Sequence, residues 1–136
     1  MPLMRAAALL LLRLAFPACG APPTAAPQYV RAWRTVGTWE GSGNALMGNI
    51  NSETGQFRIT WNSRPEAAAG PGVFKLLVRS AVSGRTLDVI TDGPGDSRGT
   101  ADFADAPRVY DFQVDARGAT WTVTVEEAYA APAATP

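Results

Sequence analysis

From Trp39 onward, apolar and polar side chains alternate with a period of two. Across Gln56–Asn62, Phe57, Ile59 and Trp61 share one face, and Gln56, Arg58, Thr60 and Asn62 share the other. Phe74, Leu76, Val78 and Val82 repeat the pattern against Lys75 and Arg79, and Trp121, Val123 and Val125 repeat it against Thr120, Thr122 and Thr124. A period of two is the signature of a strand with one face buried. The β-branched and aromatic residues that fill these runs suit a pleated surface. No comparable stretch carries helical spacing between capping residues.

Turn residues punctuate the runs: Asn51 to Gly55, Gly70-Pro71-Gly72, Ser83-Gly84, the segment DGPGDSRG at 92–99, and Gly118. The pattern predicts seven strands, at 39–49, 56–62, 73–82, 86–91, 100–103, 109–114 and 120–127. Ser83-Gly84 reads as a tight hairpin turn and Gly118 as part of a last hairpin. Several short strands, each with one apolar face, predict an all-β fold: an antiparallel two-sheet sandwich, with a small β-barrel as the alternative.

The start of the chain departs from this pattern. Arg5 precedes an apolar run at Ala6–Leu12, Arg13 interrupts it, and Leu14–Phe16 resume it before Pro17-Ala18-Cys19. A cationic head, a short apolar core and small residues at its end predict a signal peptide over 1–18. The run is too short and too interrupted for a spanning helix of about 20 apolar residues. Phe16-Pro17-Ala18-Cys19-Gly20 resembles the lipobox of bacterial lipoproteins. That resemblance implies acylation of Cys19, which would become the mature N-terminus and tie the chain to a membrane. The other reading is ordinary cleavage between Cys19 and Ala26, with secretion of a soluble protein.

Pro22, Pro23 and Pro27 among small residues predict an extended tether, so 19–36 reads as a lipid-anchored linker. Within it, Tyr29, Val30, Trp33 and Val36 are spaced as a short helical turn or a strand entering the domain would space them. The β-domain is then 37–129, and Ala130 to Pro136 reads as a disordered tail.

The runs W-E-G-S-G-N, F-R-I-T-W, F-K-L-L-V-R-S-A-V-S-G-R and W-T-V-T-V-E-E look like those of small exported bacterial β-domain proteins. The resemblance covers roughly Trp39 to Glu127. It implies export and a β-fold, and brings no substrate or catalytic residue with it.

Composition narrows the chemistry. The chain of 136 residues has no histidine and one cysteine, which removes Ser–His and Cys–His activation, imidazole metal ligands and any intramolecular disulfide. Loss of residues 1–18 would take Arg5 and Arg13 away, leaving ten basic against twelve acidic side chains and a formal charge of −2. The arginines are scattered, so nucleic acid is not an expected partner.

Gly41, Gly43 and Gly48 lack the spacing of a dinucleotide fingerprint, and Ser42 lacks a nucleophile elbow. Asp92, Asp96 and Asp102, with Asp105 nearby, form a weak calcium candidate at a Gly-rich loop. Otherwise no cofactor is expected. Glu126 and Glu127 are adjacent, so in a strand they point to opposite faces and do not make a catalytic carboxylate pair.

Trp39, Trp61 and Trp121 fall on apolar faces and read as core. Trp33, between Arg31 and Arg34, is the candidate ligand contact. The expected function is a non-enzymatic binding or scaffolding module anchored in the cell envelope, with an envelope protein or a glycan as partner. A carbohydrate-binding sandwich is the alternative, and a small carboxylate-based hydrolase stands behind it.

Overall fold

The structure is a computed structural model that describes Gly20 and residues 26–134. The leader at 1–18 and Cys19 lie outside the described residues. Among the described residues eight strands form: β1 (Tyr29–Ser42), β2 (Ala45–Ser52), β3 (Gln56–Pro65), β4 (Val73–Ser80), β5 (Thr86–Pro94), β6 (Ser97–Ala104), β7 (Arg108–Arg117) and β8 (Ala119–Pro132). They make two antiparallel four-stranded sheets, ordered β1-β8-β3-β6 and β2-β7-β4-β5. The expected sandwich is therefore the fold, and the barrel alternative falls because the sheets share no strand.

The topology follows from one reversal. The β4–β5 connection is the sole link between strands of the same sheet; each other link carries the chain from one sheet to the other. The pairs β4·β5, β3·β6, β2·β7 and β1·β8 are thus layers of one long folded-back ribbon rolled into two sheets. This is the jelly-roll form of the sandwich.

Gly118, expected in a hairpin, is instead a one-residue corner between sheets. Its φ of 62° is left-handed, and a Cβ there would lie 2.8 Å from the Cβ of Ala69. Only glycine meets both demands. The 51–55 turn is likewise a corner, joining β2 in one sheet to β3 in the other.

The strand bounds depart most from the sequence expectation at three places, beside the lengthening of β5, β6 and β7. The single strand expected at 39–49 is two, broken at Gly43-Asn44 where the chain changes sheet. Val82, expected on the buried face, is exposed, because β4 ends at Ser80. The largest difference lies at the ends. Tyr29 to Val36, expected as linker, belong to β1, and Ala130 to Pro132, expected as tail, belong to β8. Tyr29 to Arg31 pair with Ala130 to Pro132, and the ladder continues to Thr35↔Glu126, so each segment supplies hydrogen bonds the other lacks.

The interior is an aromatic and aliphatic layer between the sheets. Phe57 of β3 meets Tyr110 and Phe112 of β7 edge-on, with ring centroids 5.1 and 5.4 Å apart. Ile59, Phe74, Leu76, Val78, Val114, Val123 and Val125 are fully buried around them. Of these, Phe57, Ile59, Phe74, Leu76, Val78, Val123 and Val125 are the residues the alternation placed inward.

Candidate functional site

The register of the β1-β8-β3-β6 sheet sets out its solvent face row by row. One row runs Thr35, Glu126, Arg58, Asp102; the next Thr38, Thr124, Thr60, Thr100; the third Glu40, Thr122, Asn62, Arg98. A last short row holds Ser42, Thr120 and Arg64.

In the first two rows most groups are paired: all four threonines of the second row, and Arg58 with Asp102 in the first. Thr38 and Thr124 share a hydroxyl hydrogen bond of 3.1 Å, as do Thr60 and Thr100. The guanidinium of Arg58 donates to Asp102 at 3.0 Å, and its carbon sits 4.2 Å from the centroid of the Trp33 ring. Hydrogen bonding to Asp102 raises the pKa of Arg58, against a smaller opposing effect of burial, so Arg58 is a fixed cation. Trp33 is half-buried beneath it.

The other end of the face is different. Glu40, Ser42, Asn62, Arg64, Thr120 and Thr122 line a shallow open depression of about 590 Å³. None of these six side chains has a hydrogen-bond or ion-pair partner among the described residues. They form a grid three strands wide and two rows deep, about 10 Å by about 7 Å from strand spacing and rise. The sequence showed that Asn62, Thr120 and Thr122 face outward; it gave no signal that these positions stay unpartnered.

Trp33 owes its position to a β-bulge. The register between β1 and β8 slips between Thr35 and Gly37, leaving Val36 as the extra residue. Strict alternation would put Trp33 and Trp39 on one face. With the bulge, Trp33 lies on the outer face against Arg58, while Trp39 packs on the core. Trp61 and Trp121 are buried as expected, and each indole N–H is satisfied: Trp61 donates to Ser97 at 3.0 Å and Trp121 to the Gly43 carbonyl at 2.9 Å. Trp61 lies flat over Gly99, where a Cβ would stand 2.7 Å from the ring.

The calcium candidate is not assembled. β5 runs through Asp92 to Pro94 and β6 starts at Ser97, so the expected loop shrinks to a two-residue corner. Asp92 faces Lys75 across β4 in one sheet, Asp96 sits at the corner, and Asp102 is held by Arg58 in the other sheet. Among the described residues no three acidic, Cys or His side chains converge as a metal site.

Glu126 and Glu127 do point to opposite faces. Glu127 is 2% exposed and is held from four directions. One carboxylate oxygen accepts from the Ser52 hydroxyl at 2.6 Å and from the Glu53 and Thr54 amides; the other accepts from Arg34 at 2.8 Å. Burial pushes its pKa up. The hydrogen bonds from Ser52, Arg34 and the two amides outweigh that and hold it below the ordinary glutamate value. Because Ser52 ends a strand of the opposite sheet, this carboxylate clamps the two sheets together. Its role is structural.

A second, smaller depression of about 270 Å³ lies at the end where β1 begins, between Tyr29, Val30, Gln56 and Tyr129. Tyr29 and Val30 are more than half exposed there. No protein-family pattern matches the chain, and no curated protein matches it in sequence.

Proposed function

We propose that this chain is an exported, non-enzymatic binding module, tethered to the cell envelope through a lipid on Cys19. It presents the open half of the β1-β8-β3-β6 face to its partner. The observation that carries this reading is the placement of the chain ends. Tyr29 and Pro132 are paired, and the amide of Ala133 donates to the Gln28 carbonyl at 2.9 Å, so both ends leave at one pole of the sandwich. The depression with its unpartnered side chains lies toward the other end of the same strands, near Ser42 and Thr120. The fourteen residues of β1 span roughly 43 Å at about 3.3 Å per residue. A lipid at Cys19 would therefore hold one pole near the membrane and turn the polar patch away from it.

The lack of catalysis is supported by what the carboxylates already do. Glu127 and Asp102 are taken by structural partners, and Asp111 accepts from the Asn49 amide at 3.0 Å. Glu40 stands without a carboxylate partner in its row.

The test is metabolic palmitate labelling with fractionation. Wild type should take the label and stay with membranes, and Cys19→Ser should lose the label and be released. Equal soluble secretion of both proteins refutes the tether.

A further inference from the structure

The six side chains at the open half of the face have a specific chemical character. Arg64 offers donors only and Glu40 acceptors only, while Asn62 and the hydroxyls of Ser42, Thr120 and Thr122 offer both. One anion and two cations, Arg64 and the bordering Arg98 level with Asn62, leave at most a single net positive charge, too little to draw a polyanion. The one large apolar neighbour of the patch, Trp121, is buried in the core, and among the described residues none of the exposed large apolar side chains lies in it. It therefore lacks the apolar anchor on which protein partners are centred. Three neighbouring hydrogen-bonded strands fix the backbone beneath it, so the polar groups are held in place before any ligand arrives.

A neutral polyol fits this set. Sugar hydroxyls each donate and accept, so they can replace water on Arg64, Glu40 and Asn62 without leaving a group unpaired. The threonine methyls give the C–H faces of a pyranose ring small apolar seats between the hydroxyls. A footprint of about 10 Å by about 7 Å, set by strand spacing, matches one or two pyranose rings lying across the strands.

We infer that the open half of the β1-β8-β3-β6 face binds a neutral oligosaccharide through Glu40, Asn62, Arg64, Thr120 and Thr122. This inference rests on the binding-module reading above and names the ligand class for the same surface.

The experiment is a ¹H–¹⁵N titration of the full chain with cellotetraose, chitotetraose and maltotetraose, each alone. At least one should give saturable shifts confined to the amides around Glu40–Ser42, Asn62–Arg64 and Thr120–Thr122, with the Asn62 carboxamide among them. Asn62→Ala combined with Arg64→Ala should weaken that binding at least tenfold. Thr60→Ala combined with Thr100→Ala, in the closed half, should leave it within twofold. Absence of saturable shifts with all three saccharides overturns the inference, as do shifts centred on Trp33 or Tyr29, or equal weakening by both double variants. A protein cross-linked through Glu40 or Arg64, with no saccharide response, overturns the ligand class and keeps the binding module. Sugar binding by a Cys19→Ser chain that is secreted like wild type would instead keep the ligand class and remove the tether.

Discussion

The two halves of one sheet face are built from the same residue types and behave in opposite ways. Near Trp33, four threonine hydroxyls meet in two pairs, Thr38 with Thr124 and Thr60 with Thr100, and Arg58 is spent on Asp102 and the indole ring. A few residues further along the same strands, Glu40, Asn62, Arg64 and three hydroxyls face solvent without partners. Alternation decides which side chains point outward. Register alone decides which of them meet, because a cross-strand pair exists only where two strands bring like or opposite groups level. Polar outward residues are thus a surface of two kinds, matched and unmatched, and the unmatched kind is concentrated around Glu40, Asn62 and Arg64.

The largest expected effect comes from the pole where the chain ends meet. Glu127→Ala removes an acceptor held by four donors and leaves the buried Ser52 hydroxyl and two part-buried amides without that partner, at a cost of about 3 kcal/mol in urea unfolding. The closed half of the face should loosen with it, whereas the saccharide shifts at Asn62 should persist in the folded fraction.

The same carboxylate sets an acid dependence. Its folded pKa lies below the ordinary glutamate value, so its contribution is complete above that ordinary value and is lost as pH falls through the folded one. Thermal melts of wild type should therefore drop more steeply below the ordinary glutamate pKa than melts of Glu127→Gln. Parallel curves would contradict the clamp.

Within the face itself the effects are smaller. Thr60→Ala with Thr100→Ala removes one cross-strand hydroxyl pair and should cost about 0.5 kcal/mol. Asn62→Ala with Thr122→Ala removes groups with no hydrogen-bond partner among the described residues, and should stay within about 0.5 kcal/mol of zero in either direction. A double variant in the open half that destabilises more than the one in the closed half would erase the distinction.

Much of this was legible in the chain. The alternation of Phe57, Ile59 and Trp61, and of Trp121, Val123 and Val125, identified the buried layer and the sandwich class. Three things were not legible, each for a physical reason. Val36 interrupts the period of two, so the bulged first strand imitated helical spacing and Tyr29–Val36 looked like linker. Ala130–Pro132 has little apolar bulk of its own and becomes strand only because β1 lies beside it. Asp92, Asp96 and Asp102 are close in sequence, but the chain changes sheet at Gly95-Asp96 and carries Asp92 and Asp102 into different sheets. The open grid belongs with these cases, since Glu40, Thr122 and Asn62 are level only once three distant strands are in register.

The register of β1 on β8 is the point on which both halves of the face depend, and a nuclear Overhauser spectrum of the folded chain reads it directly. Contacts from the Trp33 indole to the Arg58 side chain, with cross-strand contacts from Thr38 to Thr124, are the predicted result. An indole of Trp33 that instead meets Val123 or Val125 in the interior would mean that Val36 forms no bulge, and the division of the face described above would be wrong.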